Sequence, residues 1–188
     1  MSKKLSEMTL EELWHLFPIF LVEHKPIWKQ WYEEEVMNLS SILSSNNIFR
    51  ISHIGSTAID GIWAKPIIDI LIEINDTSFN DVINILKGNG YLLMFQSDKR
   101  ISFNKGYTKN GFAEKVFHIH VRFVGDNDEI YFRDYLNFDS NIAKEYEKLK
   151  LSLWKKYEYD RDGYTNAKQD FIVKYTNIAK DKFKDRYV

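Results

Sequence analysis

The sequence predicts an α/β (α+β) protein in which a mixed β-sheet is flanked by helices. Runs rich in β-branched residues lie in the middle of the chain, and amphipathic helical patterns dominate both ends. The chain has 188 residues, of which 44% are hydrophobic and 28% charged, which is the balance of a globular protein. We find no repeat or flexible linker, so we predict that residues 1–188 form one domain.

Two helices are predicted before the first strand. Thr9 can cap the first helix, because Glu12 follows three residues later as in a capping box. Pro26 is predicted to begin the second helix, since proline is tolerated in a first turn. Glu33–Glu35 is expected to face solvent. The opposite, apolar face would carry Ile27, Trp28, Trp31, Tyr32, Val36, Leu39, Ile42 and Leu43.

The strands begin after a loop predicted at Ser44–Asn47. Phe49–Ile54 alternates from residue to residue, as a strand does, and a turn or short helix is expected over Thr57–Ala64. Ile67–Ile74 is β-branched along most of its length, which predicts a buried strand.

The rest of the chain contains shorter elements. They are a helix over Phe79–Lys87, a hairpin of Tyr91–Gln96 and Arg100–Asn104, a loop over Lys105–Gly111, a strand over Val116–Val124, a helix carrying Phe132, Tyr135 and Leu136, a helix over Asn141–Lys156 capped by Ser140, and a last helix from Tyr164 or Thr165 to about Lys184.

Composition excludes several classes of function. The net charge of −1 gives no global field for nucleic acid, so we expect no nucleic-acid partner. The chain has no cysteine, which excludes disulfides, thiolate zinc sites and thiol catalysis. We see no apolar leader and no apolar run long enough for a membrane span, so a cytoplasmic protein without a membrane partner is expected.

Asp69 interrupts the strand over Ile67–Ile74 near its beginning. Because side chains alternate along a strand, Asp69 lies on the face opposite the isoleucines, and that face must tolerate charge. Gly55 and Ser56 precede this strand. A glycine allows close approach of a ligand, and backbone N–H groups beside a serine hydroxyl favour phosphate.

These residues carry a family resemblance. Gly55-Ser56 followed by a strand with Asp69 resembles the nucleotidyltransferase superfamily that includes DNA polymerase β. The segment HIGSTAIDGIWAKPIIDILIEI resembles, more narrowly, the GrpB family. The likeness continues in order along nearly the whole chain, in HIHVRF, FRDYL, YEKLK and YTNAKQDFI. The resemblance implies a polymerase β-type nucleotidyltransferase fold with extra N- and C-terminal helices.

The resemblance also implies a metal-dependent transfer of a nucleotidyl group. In active members a Gly-Ser turn holds the triphosphate and three acids hold divalent metal ions. Asp69 matches the first acid, but Leu71 stands where the second is expected. Glu73 shares that face but lies about 13 Å further along the strand, which is too far to replace it.

The later strand offers histidines where the third acid is expected. His118, His120 and Arg122 alternate along one face. Imidazole suits zinc or manganese, whereas magnesium prefers oxygen ligands. Asp69, His118 and His120 are therefore our candidate catalytic and metal-binding residues, with Mg, Mn or Zn as the candidate ion.

Basic residues complete the candidate site for a nucleotide or another phosphate-bearing small molecule. We assign Gly55, Ser56, Lys65, Lys105, Arg122 and Arg133 to this binding set. Asp69 paired with Lys65 or Arg122 is the structural alternative. Lys150 and Lys168 are expected on solvated helix faces, and Tyr107 in an exposed loop.

Three other functions remain open. His118-Ile-His-Val-Arg122 is a near miss to the histidine-triad nucleotide hydrolases, but arginine cannot act as the nucleophile or base. Leu71 favours a catalytically inactive nucleotide- or anion-binding module, and the GrpB family's link to dephospho-CoA kinase suits a nucleotide-like ligand. A protein-interaction module would instead expose apolar surface near Trp14, Trp28 and Trp31.

Overall fold

A five-stranded mixed sheet forms the centre of the protein in a computed structural model that describes residues 3–43, 48–75 and 79–187. The strand order is β1-β2-β5-β4-β3, in which β2 and β5 are parallel and the other pairs antiparallel. The strands are β1 (Ile48–Ile54), β2 (Ile68–Ile74), β3 (Leu92–Gln96), β4 (Arg100–Thr108) and β5 (Gly111–Phe123). The loop predicted at Ser44–Asn47 lies outside the described residues.

Helices flank the sheet, which confirms the predicted class and its additional terminal helices. They are α1 (Leu10–Leu16), α2 (Ile27–Ile42), α3 (Phe79–Gly88), α4 (Asp128–Phe138), α5 (Ser140–Trp154), α6 (Arg161–Asn166) and α7 (Gln169–Phe183). Thr9 and Glu12 form the predicted capping box at α1. None of these helices, over the residues that are described, combines the length and apolar character that a bilayer span requires.

The two faces of β2 have different environments, as alternation predicts. The isoleucines Ile68, Ile70, Ile72 and Ile74 are fully buried in the main core, together with residues of α2 and α3. On the other face, Leu71 packs against Ile54 and Ile130 of α4. A further apolar cluster joins α4, α5 and α7 on the C-terminal side. The charged face of β2 is therefore covered by the C-terminal helices.

The predicted loop at Lys105–Gly111 was wrong, because both neighbouring strands are longer than their sequence patterns indicate. β4 continues to Thr108 and β5 begins at Gly111. Gly106 has a φ of +90°, and a Cβ there would lie 2.3 Å from the carbonyl oxygen of Lys115. The glycine thus marks an irregularity in the pairing and not the end of the strand.

The caps of the C-terminal helices also differ from prediction. Asp139 rather than Ser140 caps α5, since its carboxylate accepts hydrogen bonds from the N–H groups of Asn141 and Ile142. The last predicted helix is two helices, and α6 begins at Arg161 because the Asp160 carboxylate accepts from the N–H of Gly163 at 2.8 Å.

Glu35 of α2 was predicted to face solvent, but its side chain is buried. Its side chain accepts hydrogen bonds from the Tyr91 hydroxyl and, at 2.7 and 2.9 Å, from Lys105. The residue is only 6% exposed. Because its partners come from the residue before β3 and from β4, the sequence of α2 alone gives no sign of these contacts.

We predict that Glu35→Ala destabilises the protein by about 3 kcal/mol, because it leaves Lys105 and Tyr91 without their acceptor. Glu33→Ala is the matched control, since Glu33 is exposed on the same helix, and its effect should stay within about 0.5 kcal/mol. Urea unfolding of both variants measures the difference. Equal stability of the two would show that Glu35 contributes nothing through this pair.

Candidate functional site

A cavity of about 620 Å³ separates the charged face of the sheet from the C-terminal helices. Gly55, Ser56, Asp69, His118 and His120 line it from the sheet side. The other wall comes from α4, α5, α6 and α7. The lining includes the carboxylates Asp128 and Glu129 and five basic side chains, at Lys65, Arg100, Lys150, Arg161 and Lys168. A volume of this size holds a small-molecule ligand.

The centre of the sheet wall is a cluster of Asp69 with two histidines. Asp69 lies opposite His118 in the parallel β2–β5 pair, and His120 is opposite Leu71. The Oδ1 atom of Asp69 lies 3.1 Å from Nδ1 of His118 and 3.6 Å from Nε2 of His120. Asp69 thus takes its partners from β5, and not from Lys65 or Arg122 as the structural alternative expected.

Burial fixes the charge states in this cluster. It lowers the pKa of His118 to about 4, which outweighs the raising effect of Asp69. Burial alone would raise the pKa of Asp69, but hydrogen bonds from His118 and His120 hold that pKa well below its usual range. At neutral pH a neutral His118 therefore donates its Nδ1–H to a charged Asp69.

Tyr107 fixes the other side of the His118 ring. Its hydroxyl lies 2.8 Å from Nε2 of His118, with Arg161 at 3.4 Å. In a regular strand Lys105 and Tyr107 would share a face, yet Lys105 binds Glu35 beneath α2 and Tyr107 binds His118 on the cavity side. The irregularity at Gly106 produces this switch. Tyr107 is half-buried and does not line the cavity. Its contact with the site is the hydrogen bond that orients His118.

Gly55 allows the chain to pass directly over Asp69. Its φ is +71° and its ψ is −173°, a backbone conformation that residues other than glycine rarely adopt. A Cβ at this position would lie 2.3 Å from Oδ2 of Asp69. The Gly-Ser turn therefore closes on the carboxylate itself, and Ser56 lines the cavity beside it.

The cluster has the donor set of a single borderline metal ion. One ligand atom each from Asp69, His118 and His120 lies within 4.8 Å of the others. Two imidazoles and a carboxylate suit zinc or manganese better than magnesium. Tyr107 would then support the second ring nitrogen of His118, as outer partners of metal-bound histidines commonly do.

The neighbouring positions exclude the usual two-metal arrangement. Leu71, at the position of the expected second acid, is fully buried in its apolar cluster. Glu73 is also fully buried, and its carboxylate accepts hydrogen bonds from Arg50, Gly125 and Asn127. Neither residue can offer a ligand beside Asp69.

Three cations in the cavity escaped the sequence analysis. Lys150 was expected to be solvated but is buried, with its ammonium bonded to the carbonyl of Trp63. Lys168, also expected in solvent, is half-buried in the lining, as is Arg161. Arg161 and Lys168 lie on either side of Tyr164 in the sequence. The YTNAK segment, which carries part of the family resemblance, was the one sequence signal that pointed to them. Only the fold shows that this segment faces β5.

Burial acts strongly on the lysines of the cavity. It lowers the pKa of Lys65 to about 7, with help from the charges of Arg161 and Lys168. Burial likewise lowers the pKa of Lys150 to about 7 and that of Lys168 to about 8. Among the described residues, no carboxylate lies within 4.0 Å of the charged groups of Lys65, Arg161 or Lys168.

Three members of the predicted binding set lie elsewhere. Lys105 is held by Glu35 on the opposite face of the sheet. Arg122 shares the face of the two histidines, but it is buried and donates to Glu129 at 2.7 Å. Arg133 donates to Asp134 and to the carbonyl of His53 at 2.6 Å. None of the three lines the cavity, and each is paired with another group of the protein.

The surface expected for a protein-interaction module is not found at the tryptophans. Trp28 is fully buried, and Trp14 and Trp31 are half-buried. The polar cavity is therefore the stronger candidate site.

We predict that Gly55→Ala destabilises the protein by several kcal/mol, because the new methyl group would overlap the carboxylate of Asp69. Gly61→Ala is the control, since Gly61 has the same φ of +71° but a Cβ added there would meet no described atom within 4 Å. The backbone strain introduced by Gly61→Ala should cost about 1 kcal/mol of stability. Thermal unfolding compares them, and equal losses would mean that Gly55 is required only for its φ.

Comparison with known families and proteins finds relatives that match most of this chain. The family model described as GrpB protein matches residues 18–177. The glutamate-rich protein GrpB of Alkalihalophilus pseudofirmus is 39% identical over 166 residues, which cover 85% of this chain and 94% of that protein. The UPF0157 protein YqkA of Bacillus subtilis is 30% identical over 176 residues, 90% of this chain and 50% of its own length.

Solved structures agree with the sequence comparison. The crystal structure of conserved protein GrpB from Enterococcus faecalis has a TM-score of 0.75 at 29% identity, and the match covers 87% of this chain and 99% of that one. The fold and the sequence together show that this chain belongs to the GrpB family.

Proposed function

We propose that this protein binds a phosphate-bearing small molecule of nucleotide size in the cavity, together with one divalent metal ion at Asp69, His118 and His120. The observation that carries the proposal is that one cavity contains both this cluster and cations without a carboxylate partner. Burial without a carboxylate partner disfavours the charged form of Lys65, Lys150 and Lys168, and the negative charge of a bound anion would restore it. A phosphate group supplies that charge.

The metal site is supported by the same cavity. A bound divalent ion would neutralise phosphate oxygens and polarise the phosphorus. The protein's part is to hold Asp69 charged, to orient His118 through Tyr107 and to place both histidines on one face of β5. Zinc and manganese fit this donor set, and magnesium does not.

Nucleotidyl transfer is the second candidate function. It is favoured by Asp69, which matches the first acid of the superfamily motif after the Gly55-Ser56 turn. Leu71 and Glu73 leave the site without ligands for a second metal ion, so any transfer would depend on one ion. The inactive binding module and the active transferase therefore share the same site and differ in chemistry.

The metal site is tested by thermal unfolding with ZnCl₂, MnCl₂ or MgCl₂, each with and without ATP. We predict stabilisation by zinc or manganese, about 2.7 kcal/mol at a hundredfold excess over the dissociation constant, and a further gain with ATP. Magnesium should give a much smaller effect.

Asp69→Asn should abolish the metal effect, whereas Asp60→Asn should keep it, because the Asp60 side chain is 98% exposed. The proposed metal site would be refuted if Asp69→Asn and wild type responded equally. If ATP stabilised neither wild type nor Asp69→Asn, the proposed class of ligand would be refuted.

A further inference from the structure

Tyr164 has a buried hydroxyl without a partner. The residue is 1% exposed and lines the cavity, yet its hydroxyl has no hydrogen-bond partner among the described residues. A buried hydroxyl is normally paired, because leaving it unpaired costs roughly the full desolvation of the group. Tyr164 therefore brings an unsatisfied hydrogen-bonding group to the wall of the cavity.

Two cations without a carboxylate partner lie against the ring of Tyr164. The ammonium of Lys168 lies 4.2 Å from the centre of the Tyr164 ring and that of Lys65 lies 5.8 Å away. Both side chains line the same cavity, and neither has a carboxylate within 4.0 Å in the described part of the chain. Arg161, one helical turn before Tyr164 in α6, adds a further positive charge to this wall.

The Gly-Ser turn has a different environment. Gly55 packs directly against Oδ2 of Asp69, so its close approach is already used by the carboxylate. An anion at that turn would meet the negative charge of Asp69 unless a metal ion lay between them. At Lys65 and Lys168 an anion would instead meet positive charge.

We propose that Tyr164, Lys65 and Lys168 form the subsite that binds a phosphate group of the ligand. This inference rests on the proposed function and adds the position of the anion. The Tyr164 hydroxyl donates to a phosphate oxygen, and the two ammonium groups balance its charge. The phosphate then lies between β2 and the C-terminal helices, within the cavity that also holds the metal cluster.

The test is calorimetric titration of sodium pyrophosphate into metal-free protein, at constant ionic strength, for wild type and Tyr164→Phe. We expect Tyr164→Phe to weaken binding about tenfold, the loss typical of a hydrogen bond to a charged group. Its melting temperature without ligand should equal or exceed that of wild type, because the lost hydroxyl has no protein partner. A purely structural tyrosine would instead lower the melting temperature and leave affinity unchanged.

Two further variants complete the test. Lys168→Met should weaken pyrophosphate binding as well, by the loss of one cation. Tyr159→Phe is the matched control, since Tyr159 is 46% exposed and outside the cavity lining, and it should bind as wild type does.

The outcomes separate the two proposals. If wild type binds pyrophosphate and Tyr164→Phe and Lys168→Met bind it equally well, the subsite is wrong and the proposed function stands. If wild type binds pyrophosphate only when zinc is also present, the subsite is wrong and the proposed function stands. If it binds pyrophosphate neither without metal nor with zinc, the phosphate-ligand function is overturned and the subsite with it.

Discussion

The contact of Asp69 with two histidines across the parallel β2–β5 pair is the interaction on which the site depends. A carboxylate in a strand of isoleucines is unfavourable unless it is hydrogen-bonded. His118 provides a hydrogen bond at 3.1 Å and His120 approaches to 3.6 Å, and both rings are placed by the register of β5. The positive φ of Gly55 and the irregularity at Gly106 both follow from this contact, since one makes room for Asp69 and the other brings Tyr107 to His118.

The C-terminal helices convert this cluster into a cavity with charge separation. α5, α6 and the start of α7 bring Lys150, Arg161 and Lys168 to face the cluster, while their own apolar residues pack with α4. Lys65 adds a cation from the segment before β2. Candidate metal ligands on one wall and cations without carboxylate partners on the other support the proposed phosphate-bearing ligand.

Much of the fold could be predicted from local pattern, whereas much of the site could not. The alternation of Ile68–Ile74 placed Asp69 on its correct face, and the capping box at Thr9 was visible in the sequence. Lys105 and Lys168 show the limit. One was assigned to the site and lies under α2, the other was assigned to solvent and lies in the cavity. Only tertiary contacts distinguish them, because two lysines on polar stretches look alike in sequence.

The most direct test of the central claim is anomalous diffraction from crystals of this protein grown with ZnCl₂. We predict one zinc peak bonded to Asp69, His118 and His120, at about 2.0–2.2 Å from one atom of each. The Tyr107 hydroxyl should remain hydrogen-bonded to the second nitrogen of His118. Crystals that bind zinc elsewhere, and retain the direct contact between Asp69 and His118, would contradict the account and identify the cluster as purely structural.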